Sequence, residues 1–259
     1  MERIQERRNK GLTTTGLRVW GLLCAALGAV SVGIIQNRIL GMAPGSGNDL
    51  LTVLEQNPEL MTYATMAVVM QAMETCAVPI FAFLLAEGME NTGNPQKYLL
   101  RVLTLAVITE IPYNLAFGGK LLDLSSRNPV FGVAFALITI WFCSRYQEKK
   151  FRNFLVRMVV ILCGMLWCGM LKISYGGTMV LISYVLWAYR YKPSSYRLLA
   201  GSAAAILCSI SHMLFIASPM GFLAILFYND DEGDSERKVN YAAYPVILVL
   251  TLLAGMFLV

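Results

Sequence analysis

Residues 62–86 read TYATMAVVMQAMETCAVPIFAFLLA, and this stretch decides the class of fold. It is 25 residues long and carries a single charged side chain, Glu74. A helix of about 20 apolar residues crosses the ~30 Å hydrocarbon core of a bilayer, because each residue adds about 1.5 Å along the axis. A membrane β-strand is much shorter and alternates in polarity. The sequence therefore predicts a transmembrane helix here.

The same apolar pattern recurs along the whole chain. Of its 259 residues, 57% are hydrophobic and 14% are charged, with a mean hydropathy of +0.59; a soluble domain usually carries about 25% charged residues. This composition excludes an ordinary soluble enzyme. We expect an all-α fold, a polytopic transmembrane helical bundle that forms one domain over residues 1–259, with eight spans. The apolar run 198–228 is interrupted by Ser218, Pro219 and Gly221, so it also fits one span plus a short re-entrant or interfacial piece, or a ninth crossing. The predicted spans are residues 17–36, 62–86, 98–117, 129–146, 152–171, 174–191, 198–217 and 241–259.

Lysine and arginine residues gather in alternate loops between these apolar blocks. A cytoplasmic N-terminus places most of them inside, so the positive-inside rule predicts a multi-pass protein of the cell membrane in that orientation. With eight spans, both chain ends then lie in the cytoplasm. The net charge of +5 is spread over the loops, so we expect contact with membrane lipids and none with nucleic acid. The six cysteines lack CxxC spacing, and no metal site is expected. The oligomeric state stays open.

Three ionisable residues lie deep in predicted spans, where a charge costs on the order of 3 kcal/mol. A short turn joins the second and third spans, so an antiparallel hairpin sets Glu74 level with Glu110. His212 lies at nearly the same depth, about 14 residues into its span. If the three side chains face one another, they form a buried site for general acid–base catalysis or for a proton relay. Otherwise they are hydrogen-bonded packing residues.

A polar turn, NTGNP at residues 91–95, follows the second predicted span, and Lys97 and Arg101 come directly after it. The start of a helix offers backbone N–H groups to an anion, and nearby cations strengthen that attraction. The turn is therefore a candidate site for an anionic cofactor such as the phosphates of coenzyme A. The alternative is a solvated connection between two helices.

Residues 78–117 read VPIFAFLLAEGMENTGNPQKYLLRVLTLAVITEIPYNLAF and resemble the signature of the TraX family of integral membrane proteins. The shared elements are a Pro-x-Phe-Ala-Phe-Leu-x-x-Glu-Gly helix end, a Thr-x-Asn turn, a Tyr-Leu-x-Arg helix start and an Ile-Pro exit before Leu-Ala-Phe. The resemblance implies an N-acetyltransferase that takes acetyl from cytosolic acetyl-CoA and passes it to an amine, such as the N-terminus of a peptide or protein acceptor. The donor-binding residues predicted on this basis are Glu87, Asn94, Lys97, Tyr98 and Arg101.

The chain departs from the family pattern in its histidines. The first span lacks the Asp-His pair that is usual in the family, and Ile247 stands where a histidine usually follows the Tyr-Pro of the last span. The chain's one histidine is His212. The predicted catalytic residues are therefore His212, Glu110 and Glu74. Two other functions fit the same residues: a non-catalytic membrane subunit that binds a partner protein, and a proton-coupled carrier of a small solute.

Overall fold

The structure is a computed structural model that describes residues 11–42, 50–123, 125–148, 150–229 and 237–257. Within these ranges the chain is helical, with two isolated β-bridges and no strand, so the predicted all-α class is confirmed. The helices are α1 (Thr14–Val30, continued as a π-helix over Ser31–Ile39), α2 (Leu50–Gln56), a 3-10 turn (Pro58–Leu60), α3 (Met61–Thr75), α4 (Ala77–Glu90), α5 (Pro95–Gly118), α6 (Val130–Cys143), α7 (Phe151–Met170), α8 (Gly176–Ala188), α9 (Ser194–Cys208), a 3-10 helix (Met213–Met220), α10 (Gly221–Leu226) and α11 (Arg237–Phe257).

Four helical stretches in the described residues are long and apolar enough to cross a membrane: Thr14–Ile39, Pro58–Glu90, Pro95–Gly118 and Phe151–Met170. Shorter apolar helices pack beside them. Large apolar side chains such as Leu166 and Trp167 are more than half exposed on the outside of the bundle, where lipid tails would cover them. The protein is thus consistent with a helical membrane protein, while the number of spans stays a prediction.

The second predicted span is broken at Cys76, between α3 and α4. Pro79 explains the break, because proline has no N–H to donate to the carbonyl of Thr75, one turn earlier. Placed in the first turn of α4, Pro79 occupies a position where a helix needs no donor. The break matters for the site, since Glu74 lies directly before it.

The predicted seventh span, residues 198–217, is wrong. Helix α9 ends at Cys208, and after a short turn the 3-10 helix and α10 run back along the bundle. The returning segment packs on the α3–α4 break, where Thr75 Oγ1 donates to the carbonyl of Leu214 at 3.4 Å. Gly221 lies directly against the Cys76 carbonyl, so closely that a Cβ would not fit. Hydropathy alone did not locate this reversal, because both halves of the run are apolar.

The return changes the path of the rest of the chain. The N–H of Leu12 donates to the carbonyl of Phe227 at 2.6 Å, and the N–H of Asn229 donates to Leu12 at 3.0 Å. Residue 229 therefore lies at the end of the bundle where α1 begins. From there α11 runs alongside α1 to the far end, where Gly255 approaches Arg38. Because α1 starts at one end of the bundle and α11 finishes at the other, this path differs from the eight-span arrangement, in which the first span starts and the last span ends on one side.

Candidate functional site

A cavity of about 820 Å³ opens at the end of the bundle where α1 and α5 begin. This volume lies in the usual range for small-molecule sites, about 300–1,000 Å³. The middle of its wall is apolar and comes from α1, α4, α5 and α6. Its polar lining includes Arg18, Glu74, Glu87, Tyr98, Arg101, Ser174, Tyr175 and Tyr244.

Glu74 lies at the inner end of the cavity, about 20 Å along the helix axis from Glu87 near the mouth. Its Oε2 accepts a hydrogen bond from the hydroxyl of Tyr175 at 3.4 Å. In the part of the chain that the structure describes, Glu74 forms no ion pair. Gly28 of α1 makes room for the carboxyl group, because a Cβ at that position would collide with it. The cavity therefore ends in a carboxylate held by one tyrosine.

Tyr175 has a backbone conformation that marks a constrained turn. Its φ is 55°, and Lys172, three residues earlier, has φ 54°; both lie in the left-handed region, which is unfavourable for residues other than glycine. The turn is held by an isolated β-bridge. The backbone N–H of Arg127 donates to the Lys172 carbonyl at 2.9 Å, and the backbone N–H of Ser174 donates to the Arg127 carbonyl at 3.0 Å. Sequence analysis did not select Tyr175. Its one signal was the Tyr-Gly-Gly sequence directly before an apolar helix.

Two cations, Arg18 and Arg101, line the cavity toward its mouth. Neither guanidinium group forms a hydrogen bond or ion pair with any residue that the structure describes. Tyr98 lies between them and α4, and its hydroxyl would be 2.9 Å from a Cβ on Gly88, so this glycine allows the close approach. Guanidinium groups bind phosphates and carboxylates strongly through paired N–H donors. The mouth is therefore suited to an anionic ligand, and the assignment of Tyr98 and Arg101 as donor-binding residues stays a prediction.

Glu87 also lines the cavity, but its carboxylate is engaged by the protein. Arg197 of α9 donates from Nη1 to Glu87 Oε1 at 2.5 Å and from Nε to the Leu186 carbonyl at 2.8 Å. The same guanidinium group lies 4.8 Å from the ring centroid of Phe83. The ion pair ties α4 to α9 and neutralises Glu87. An anionic ligand in the mouth would then meet less repulsion from this carboxylate.

The structure places Asn94 and Lys97 outside the cavity lining. Asn94 Oδ1 accepts the backbone N–H of Lys97 at 3.0 Å, which makes Asn94 the N-cap of α5. A side-chain cap satisfies a helix donor that has no partner within the helix. Both side chains are exposed to solvent. Their arrangement explains how the polar turn ends and α5 begins. Of the predicted donor-binding residues, Glu87, Tyr98 and Arg101 line the cavity.

The predicted convergence of Glu74, Glu110 and His212 is wrong. Glu110 is 8% exposed and faces away from the cavity lining, with Oε1 3.4 Å from Arg127 Nη1 and Oε2 accepting the N–H of Asn128 at 3.2 Å. His212 lies exposed in the turn after α9, and its ring centroid is 6.2 Å from that of Tyr175. Of the three residues, only Glu74 lines the cavity.

These features define a helical membrane protein whose cavity joins a basic mouth to a carboxylate. The family model described as TraX protein matches residues 52–254, which is most of the chain. The protein therefore belongs to the TraX family, as the signature at residues 78–117 indicated. No curated protein and no solved structure matches the chain.

Proposed function

We propose that this TraX protein is a membrane-bound acyltransferase that passes the acetyl group of acetyl-CoA to an amine, such as the N-terminus of a peptide. One observation carries the proposal: a single cavity joins Arg18 and Arg101 at its mouth to the Glu74–Tyr175 pair at its inner end. The anionic donor needs positively charged side chains, the acceptor amine needs a carboxylate, and both kinds of group must lie in one space. The cavity contains both kinds.

The donor is a substrate whose size and charge suit this space. Its phosphates would bind the guanidinium groups of Arg18 and Arg101, which have no other partner among the described residues. The apolar middle wall, which includes Leu22, Phe81 and Val102, would take the less polar arm that carries the thioester. The acetyl group would then extend toward Glu74.

The chemistry needs a base close to the acceptor nitrogen. The amine nitrogen attacks the thioester carbonyl carbon, the carbon–sulfur bond breaks, and coenzyme A leaves as its thiolate. Glu74 would take the proton that the nitrogen loses, and the hydroxyl of Tyr175 would orient its carboxylate. This proposal gives the base role to Glu74 and withdraws it from Glu110 and His212, because neither lines the cavity.

Orientation follows from the donor. Acetyl-CoA is cytosolic in this proposal, so the mouth must face the cytoplasm, and with it the start of α1. The Lys and Arg residues at this end, such as Arg145 and Arg190, agree with the positive-inside rule. The proposed location is the cell membrane, with the N-terminus in the cytoplasm.

Label transfer tests the proposal. The purified protein is incubated with radiolabelled acetyl-CoA and a peptide that has an unblocked N-terminus, and labelled peptide is measured. Arg101→Gln should weaken acetyl-CoA binding by about tenfold, whereas Lys97→Gln, which removes an exposed cation outside the cavity, should not. A wild-type protein that neither binds acetyl-CoA nor labels the peptide would overturn the proposal. Copurification with a partner protein, or uptake driven by a pH gradient, would then favour the scaffold or the carrier.

A further inference from the structure

Three hydroxyl groups meet behind the inner end of the cavity. The hydroxyl of Tyr113 lies 2.9 Å from Ser174 Oγ and 3.1 Å from Ser126 Oγ, and the two serine oxygens are 2.9 Å apart. All three pairs are therefore within hydrogen-bonding distance. We call this set, Tyr113, Ser126 and Ser174, the hydroxyl ring.

The hydroxyl ring can pass on a proton because its three oxygens lie within hydrogen-bonding distance of one another. Each hydroxyl both donates and accepts. A proton that enters at Ser174 lets that hydroxyl give its own proton to Tyr113, and Tyr113 gives its own to Ser126, so that one proton enters the ring and another leaves it. In a site that is poorly hydrated, such bonds also strengthen one another.

The ring connects two environments. Ser174 lines the cavity together with Glu74 and Tyr175. Ser126 lies half-buried in the connection between α5 and α6, at the end of the bundle away from the mouth. Tyr113 is a residue of α5 that is 8% exposed, and it lies about 18 Å along the helix axis from Arg101. The ring is thus the polar contact between the cavity and the far face of the protein.

The hydroxyl ring contains no charged side chain, and the charged residues lie around it. Arg127 beside it is paired with Glu110 at 3.4 Å. On the far face lie Lys120, Lys172 and Asp123. The N–H of Ser125 donates to Asp123 Oδ1 at 2.9 Å, and this bond keeps the pKa of the half-buried Asp123 below its usual value. An ionised carboxylate therefore lies in the same α5–α6 connection as Ser126.

We propose that the hydroxyl ring is a proton path from the inner end of the cavity to the far face of the bundle. The inference rests on the proposed acetyl transfer. Turning an ammonium group into an amide removes two protons from the nitrogen, and the coenzyme A thiolate takes up one of them. The other leaves Glu74, and while the donor occupies the mouth, Ser174, which lines the same cavity, gives it a way out through Tyr113 and Ser126. Without this path the proton leaves through the mouth after the products have gone.

Proteoliposomes with a trapped pH-sensitive dye test the path. Acetyl-CoA and the peptide are added outside, and because acetyl-CoA does not cross a bilayer, only molecules with an outward-facing mouth react. Wild-type protein should acidify the lumen in step with product. Ser126→Ala and Tyr113→Phe should still form product, with luminal acidification per product reduced about tenfold. Thr104→Ala, which removes an exposed hydroxyl of α5 that donates to the Leu100 carbonyl outside the ring, should behave as wild type.

The outcomes separate the two proposals. Product with undiminished luminal acidification in both ring variants overturns the path and leaves the transferase intact. Absence of product from wild-type protein overturns the transferase and the path with it. Collapse of a preset pH gradient without acetyl-CoA would show a general leak, which also counts against a path coupled to transfer. Equal thermal unfolding of the variants and wild type excludes misfolding as the cause of a reduced signal.

Discussion

The hydroxyl of Tyr175 lies 3.4 Å from Oε2 of Glu74, and this contact joins the start of α8 to the end of α3. The two residues are 101 positions apart in sequence. Tyr175 holds its place through a left-handed turn, and Glu74 holds its place beside the α3–α4 break. Both backbones are thus irregular where they meet, as is common at sites under functional constraint.

Glu74→Gln should abolish most acetyl transfer without weakening donor binding. The amide has the shape of the carboxyl group but cannot take up a proton, so the rate should fall about 100-fold or more. Tyr175→Phe keeps the ring and loses the hydroxyl, and we expect a smaller decrease, about tenfold. Rates come from label transfer and the Kd for acetyl-CoA from calorimetry. Glu55→Gln, an exposed carboxylate outside the cavity, is the control; equal rates for Glu74→Gln and this control would contradict the assignment.

His212→Gln should retain acetyl transfer within about twofold of wild type. The imidazole is exposed, lies outside the cavity lining and reaches the site only through the ring of Tyr175, so it does not contact the acceptor. The measurement is the label-transfer rate as a function of pH from 5 to 8. Loss of activity with unchanged folding would restore His212 as a catalytic residue, as sequence analysis predicted.

Gly28→Ala should impair transfer through Glu74, although Gly28 carries no chemistry. Its new Cβ would collide with the Glu74 carboxyl, and the side chain would have to move from the cavity end, where a shift of about 1 Å can cost 100-fold in rate. Gly93→Ala is the matched control, because nothing lies within 4 Å of a Cβ there. The comparison is between label-transfer rates at saturating acetyl-CoA. If both alanine variants work equally well, Gly28 does not position Glu74.

Arg197→Met should lower the free energy of unfolding by about 3 kcal/mol, because it leaves the Glu87 carboxylate without its partner in a mostly buried setting. The side chain of Arg197 is 11% exposed in this pair. Lys150→Met breaks an ion pair of 2.7 Å with Glu148 whose side chains are 67% and 70% exposed. Its effect should be at most about 1 kcal/mol. Denaturant unfolding in micelles compares the two, and equal effects would show that burial does not decide the strength of this pair.

We expect the start of α1 and the end of α11 to lie on opposite sides of the membrane. The reason is the return of the chain to Leu12 through Phe227 and Asn229, which leaves α11 to run once more along the bundle. Single cysteines introduced at Thr14 and Phe257 would be labelled in intact cells with a reagent that does not cross the membrane. Labelling of both from the same side would show that the chain crosses an even number of times.

Much of the site could be predicted where local sequence decides the structure. The NTGNP turn, the start of α5 and the positions of Tyr98 and Arg101 near a cavity mouth follow from capping, proline and charge, which act over a few residues. Asn94 was predicted to bind the donor, and in the structure it caps α5. Glu74 was selected because a carboxylate in an apolar span is rare.

The sequence did not determine how each helix is rotated about its own axis. Helix length sets the depth of Glu110, but its contacts with Arg127 and Asn128 depend on which face α5 turns toward the α5–α6 connection. The position of His212 was wrong because the seventh span was predicted to continue to residue 217, whereas α9 stops at Cys208 and the chain turns back. Tyr175 went unnoticed because its importance comes from a partner in another helix.

The sequence by itself determined that this protein is a helical membrane protein, because hydropathy, proline and charge signals are local and do not depend on the packing. Its TraX membership followed from the resemblance of residues 78–117 to the family signature. Only the tertiary structure decided which side chains share the cavity. It brought Glu74 to Tyr175, engaged Glu87 with Arg197, and left His212 outside. The physical reason is that helices of similar hydropathy can pack in many rotations and directions, and only side-chain contacts between them, such as Gly221 against Cys76, select one.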